Sequence, residues 1–246
     1  MKIKAFIFIA IGLLAAAYWY SQWDGTPGPL PDKQSIIHAI DRMSNEIKVK
    51  QLAAIEQLDS RHIFVPFISL YGEHGMSFWK WEQKEWKLIR IDNNGMPHIW
   101  KLDGKDPAKH VVVYHADPKD EIEKLTFYLL RNRNAYFHSG QYFYVPRVQL
   151  ELPISIGEKN YGAIPFPEEW LQLMESDRKQ SQPLGNAMHS MFSGQQRSTM
   201  YVGYQPHYRG GRAPEGRGSY SKSGGADVTF IPIINESELE RPRPFP

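Results

Sequence analysis

The chain has 246 residues, no cysteine, and 29 Lys and Arg against 27 Asp and Glu, for a net charge of +2. The absence of thiols excludes a disulfide, a cysteine nucleophile, a Cys-ligated zinc and a lipidated cysteine. The near-neutral balance gives no electrostatic reason to expect a nucleic-acid partner. The 41% hydrophobic share is ordinary for a globular protein, but it is unevenly spread and thins beyond about residue 175, which implies one core domain with a sparsely packed tail.

Lys2 and Lys4 precede an uncharged run from Ala5 to Tyr20. With Ser21, Gln22 and Trp23 at the interface, the run reaches the roughly 20 residues that a helix needs to span a bilayer. Tyr18, Trp19, Tyr20 and Trp23 suit an aromatic belt, and the lysines hold the N-terminus in the cytoplasm. The expectation is a single-pass signal-anchor over 1–23, contacting lipid through 5–23, with the rest of the chain extracytoplasmic. The alternative is a signal peptide cleaved near Ala17, which would leave the protein secreted. Residues 24–31 contain Pro27, Pro29 and Pro31 with two glycines and read as a stiff linker.

Residues 32–178 are expected to form an α+β domain. Asp32 can cap a helix, and Ile36, Ile40, Met43, Ile47, Ala54 and Leu58 recur at helical steps. One amphipathic helix over 32–60, on the order of 40 Å long, follows from that stripe. Strands are expected at 63–71, 77–82, 85–92, 97–102 and 110–115, joined as a largely antiparallel meander by short polar connections. Asp117, Pro118, the acids after them and Arg131 and Arg133 mark the ends of a second helix with Ile122, Leu125 and Leu129 on its apolar face. A strand across 142–154 closes the domain, and a short helix begins near Pro167. Long helix, meander, second helix and closing strand make a roll, comparable to cystatin/NTF2-like architectures by coarse analogy alone. Residues 179–246 read as a largely flexible Gly/Ser/Arg/Pro-rich tail, with 226–234 docking back as an edge strand.

Four tryptophans crowd 78–102. A two-residue Gln83-Lys84 loop pairs Trp81 with Trp86, Lys80 with Lys87 and Trp79 with Leu88. A three-residue loop at 93–95 would then set Leu88 opposite Trp100 and Trp86 opposite Leu102, collecting all four tryptophans on one face for the long helix to cover. The other face would carry Lys80, Lys87 and Lys101 among Phe78, Ile89 and Ile99. Three lysines in a row are unfavourable unless solvated, relieved by neighbouring acids or facing an anion, so they are the candidate strip for an anionic envelope polymer or lipid headgroups.

Glu73 and His74, in the turn "YGEHG", are the second candidate ligand-binding group, where a general base could sit. His110 and His115 fall on opposite sides of their strand, which leaves no metal constellation. Ser190 and Ser193 lack a nucleophile elbow, and no Gly-rich loop joins a strand to a helix. No catalytic residue, metal or cofactor is assigned. The expected role is a membrane-anchored, non-catalytic binding or accessory domain of the cell envelope. An envelope hydrolase with a loop-built site and a self-association module working through the 32–60 helix are the alternatives.

Overall fold

The computed structural model describes residues 25–138, 140–157, 159–181, 200–211, 221–223 and 227–240. They fall into two compact units, the first ending at Asn94 and recruiting 221–223, the second beginning at Gly95.

In the first unit Asp32 Oδ1 accepts the N–H of Gln34 at 2.9 Å and of Ser35 at 3.0 Å, which starts α1 (Lys33–Met43) as the cap predicts. The helix stops there, because Ser44 is extended and the Asp41 carboxylate accepts the N–H of Val49 at 2.9 Å. The helix expected over 32–60 is therefore corrected to one of 11 residues. Ile47 continues its stripe in the sequence, but Ile47 and Val49 enter the core two residues apart, at the approach to and start of β1 (Val49–Leu52), whose backbone pairs with a neighbouring strand.

The remaining strands are β2 (Glu56–Asp59), β3 (His62–Ser69), β4 (His74–Glu82) and β5 (Glu85–Asp92). β1 and β2 both pair with β3, and β3, β4 and β5 run as an antiparallel meander whose far edge pairs residues 221–223. One face carries Ile63, Val65, Phe67, Trp79, Leu88 and Ile91 beneath Ile36 and Ile40 of α1. At the β4–β5 turn Trp81 meets Trp86, Lys80 meets Lys87 and Trp79 meets Leu88, the register the two-residue loop requires. Trp81 and Trp86 pack edge to face, and Trp86 Nε1 donates to the Pro29 carbonyl at 3.0 Å.

The second unit holds β6 (His98–Lys101), β7 (His110–His115), β8 (Ile122–Arg131), β9 (Asn134–His138), β10 (Gln141–Val145), β11 (Val148–Ser155), β12 (Tyr161–Pro165), α2 (Glu168–Ser181), β13 (Tyr201–Tyr208) and, beyond the short β14 (Ser221–Ser223) of the first unit, β15 (Val228–Phe230). Two sheets, ordered β12-β7-β6-β15 and β11-β8-β13, contribute to one core. Val112 and Tyr114 come from the first sheet and Leu125, Phe127, Leu129, Val202 and Tyr204 from the second, with Trp170 of α2 added. This is sandwich packing.

The α+β roll is thus corrected to a mainly β molecule with two helices among the described residues. The expected second helix is one 3-10 turn, Pro118–Asp120, capped by Asp117 and ended by Glu121 in the left-handed region, followed by β8. Ile122, Leu125 and Leu129 fit a helix stripe, but Thr126 and Tyr128 between them and Leu130 after them are also buried, as befits a strand paired on both sides and buried on both faces. The expected pairing across 93–95 does not form: β6 pairs with β7 and β15, so Trp100 and Lys101 belong to the sandwich. Asp92 Oδ1 takes the N–H of Asn94, and the Gly95 carbonyl takes the N–H of His115, so the chain leaves the meander at this turn.

The stretch expected to be a largely flexible tail supplies β13, while β15 lies within 226–234, the edge strand expected to dock back. After β15 the chain crosses to β13, where Tyr204 donates to the Pro232 carbonyl at 3.0 Å and accepts from the Ile234 N–H at 2.9 Å. The expected membrane helix at 5–23 lies outside the described residues. Among those described, no helix is long and apolar enough to cross a membrane, the longest being the 14 residues of α2. The expected single-pass placement therefore rests on no described helix.

Candidate functional site: an aromatic arm

The segment "NAYFHSGQYFYV", residues 134–145, contains five aromatic residues and no Asp, Glu, Lys or Arg. Gly140 supplies the left-handed backbone, φ 82°, of the turn between β9 and β10. Among the described residues these two strands pair only with each other. They nevertheless continue another ladder: β8 and β11 pair Arg131 with Val148, and β9 and β10 resume at Asn134 with Val145. Numbered positions keep a constant sum across the interruption, so the register does not slip. Pro146 stands in the interruption and has no N–H to give a ladder.

Unbroken register has a consequence for the faces. Leu125, Phe127 and Leu129 of β8 and Leu150, Leu152 and Ile154 of β11 face the sandwich core. By the same alternation Phe137, Tyr142 and Tyr144 lie on the continuation of that face, beyond the end of the sandwich. They are 56%, 86% and 66% exposed. The Phe137 and Tyr142 rings lie 4.8 Å apart at 56°. An inner sheet face runs out into solvent here with its apolar rings uncovered.

The base of the arm is fixed by charge. Arg131 pairs with Asp177 of α2 and donates to the Pro146 carbonyl at 3.2 Å. Arg133 and Arg147 both reach Glu240, Arg147 also donates to the Glu238 carbonyl, and Gln149 exchanges two hydrogen bonds with the Glu240 backbone. Burial and the Glu238 carboxylate push the nearby Tyr201 hydroxyl above its ordinary value, keeping it a neutral donor. Mobile arginines would be free to meet an anion; these are spent on aiming the arm.

No family model, characterised protein or solved structure matches this chain.

The residues expected to bind a ligand are placed as follows. Lys80 and Lys87 are cross-strand neighbours, with Glu82 3.0 Å from Lys80 and Glu85 3.7 Å from Lys87. Lys101 is on β6 in the second unit, so the row of three does not assemble on one sheet. Glu73 accepts from Asn93 Nδ2 at 3.1 Å and from Ser69 Oγ at 3.2 Å, while Ser69 Oγ accepts the N–H groups of Tyr71 and Glu73. Both carboxylate oxygens are thus engaged in holding the turn. His74 opens β4 opposite Ile68. No group of three or more metal-ligating side chains occurs among the described residues.

The first strand of the arm was hidden by the helix expected over its approach, which consumed residues up to 133, whereas β10 overlaps the strand expected across 142–154. Two signals would have exposed it: the Ser139-Gly140 turn pair between aromatic runs, and a stretch of 12 residues without a formal charge in a chain where 23% of residues are charged.

Proposed function

We propose that the protein is a non-catalytic binding module whose contact surface is the β9–β10 arm. The observation that carries this reading is the exposure of Phe137, Tyr142 and Tyr144 on a projecting hairpin with a clamped base. Tyrosine and phenylalanine are enriched where proteins meet partners, since each buries a large area while freezing few rotors. A hairpin of two strands is marginal by itself in water, so a partner that covers its face stabilises both. The 56° tilt between Phe137 and Tyr142 suits interdigitation with side chains better than the flat stacking of a sugar ring. The open backbone edges favour a polypeptide, which can add a strand.

Tyrosine-directed acylation of the full chain tests this. At low chain concentration, extract of the source cells should reduce labelling of Tyr142 and Tyr144 several-fold and leave Tyr71, which is 73% exposed on the first unit, unchanged. Equal labelling of all three with and without extract, and at high as well as low chain concentration, would defeat the reading, as would protection confined to Tyr71.

A further inference from the structure

We infer that the arm's partner is a second copy of this chain, joined by antiparallel pairing of the outer edge of β10 with itself about a two-fold axis. This deepens the binding reading and rests on it.

Edge protection points to β10. The outer edges of β11, β12 and β13 in the second unit each carry a device that blocks strand addition. β11 contains Glu151 and Pro153, β12 ends on Pro165, and the outer edge of β13 is occupied by residues 232–234. Between Asn134 and Val145 there is no proline and no charge. A strand that a protein leaves unprotected in this way is a template for pairing, and an uncharged one meets its own copy without like-charge repulsion.

Symmetry then fixes the register. Antiparallel pairing of identical strands is isologous, and centring it on Phe143 sets Tyr142 across from Tyr144 of the second copy, and Tyr144 across from its Tyr142. Aromatic cross-strand pairs are favourable, and both tyrosines are exposed and lie on one face with Phe137. The exposed parts of the three rings offer on the order of 400 Å² per copy. Doubled and joined by the backbone edge, this comes to roughly 1,000 Å², the lower end of specific interfaces. Interfaces at this end of the size range are typical of weak, reversible encounters.

Sedimentation velocity on the full chain, across roughly two decades of micromolar concentration, gives the test. A reversible shift from one to two copies is expected. The double variant Tyr142→Lys with Tyr144→Lys sets like charges across from each other in the two-fold register and should weaken association by tenfold or more. The double variant Tyr142→Lys with Tyr144→Glu sets opposite charges across from each other and should recover much of that loss, while Tyr71→Lys should change nothing. Near-ultraviolet circular dichroism matching the parent keeps each variant interpretable as a folded chain.

A monomer at every concentration overturns the inference, as does a dimer that the lysine pair leaves intact or a lysine–glutamate pair no better than two lysines. So does arm-dependent binding of a monomer to phosphatidylcholine vesicles. If extract still protects Tyr142 and Tyr144 while the chain stays monomeric, the binding reading stands and the second copy is ruled out. If extract and self-association both fail to protect them, both readings fall.

Discussion

At position 110 a single ring carries a pH dependence. His110 is buried, packs edge to face with Phe166 at 5.8 Å, and has no hydrogen-bond partner at Nε2. Burial holds it below its ordinary 6.5, and the charge of Lys101, its partner in the ladder, lowers it further. A hydrogen bond with the Asp103 backbone and the Asp103 and Asp106 carboxylates oppose that shift without reversing it. The unfolded chain therefore takes up a proton before the folded one does. This contribution is constant above pH 6.5 and costs stability as the pH falls through 6.5 toward the folded value. His207, lowered by burial and Lys124, works in the same direction. His110→Phe keeps a ring beside Phe166 and removes the titration, so urea midpoints measured across this range should fall less steeply than in the parent. An unchanged slope would place the dependence elsewhere.

At the scale of elements, the β4–β5 turn is the most legible feature and is itself strained. Gln83 and Lys84 both have positive φ, 54° and 66°, a conformation that costs a side-chain-bearing residue about 1–2 kcal/mol and that Asn-Gly adopts readily. Gln83→Asn with Lys84→Gly should stabilise the chain by about 1 kcal/mol, seen as a higher urea midpoint with an unchanged slope. A lower midpoint would mean that the contact of Gln83 with Lys87 outweighs the backbone strain. The register at this turn could be read because a one-residue slip would turn Trp79, Trp81 and Trp86 to the wrong face. Asp32 could be read because a cap is a local hydrogen-bond pattern. Residues 122–131 could not, since a strand buried on both faces has no two-residue alternation to display, and its Leu spacing matches a helix equally well. The first strand of the arm failed for a related reason: it is the continuation of that misread strand, and its exposure depends on where the sandwich ends, which is a tertiary fact. Lys101 parted from Lys80 and Lys87 because the turn at 93–95 sends the chain into a different sheet.

At the scale of the whole molecule, the last described residues connect the sandwich to the arm. The strap after β15 seats Ile234 over Gly203 of β13, where a β-carbon would overlap Ile234 Cδ1, and Ile234 packs with Tyr128 and Leu130. A few residues later the same strap presents Glu238 and Glu240 to Arg133 and Arg147 at the base of the arm. Gly203 lies on β13, which pairs with β8 and has no pairing with β9 or β10. Gly203→Ala must displace Ile234, and overpacking of this kind costs roughly 1–3 kcal/mol. If the strap only closes the sandwich, that loss of stability is the whole effect. If it also aims the arm, the substitution should in addition weaken self-association under conditions where the chain remains folded, because Glu238 and Glu240 shift with Ile234 and the arginine clamp loosens. Urea denaturation and sedimentation velocity on the same variant separate the two effects. A destabilised chain that associates as tightly as the parent would show that the arm's direction is set by the β8–β11 ladder and the Arg131–Asp177 pair without help from the strap.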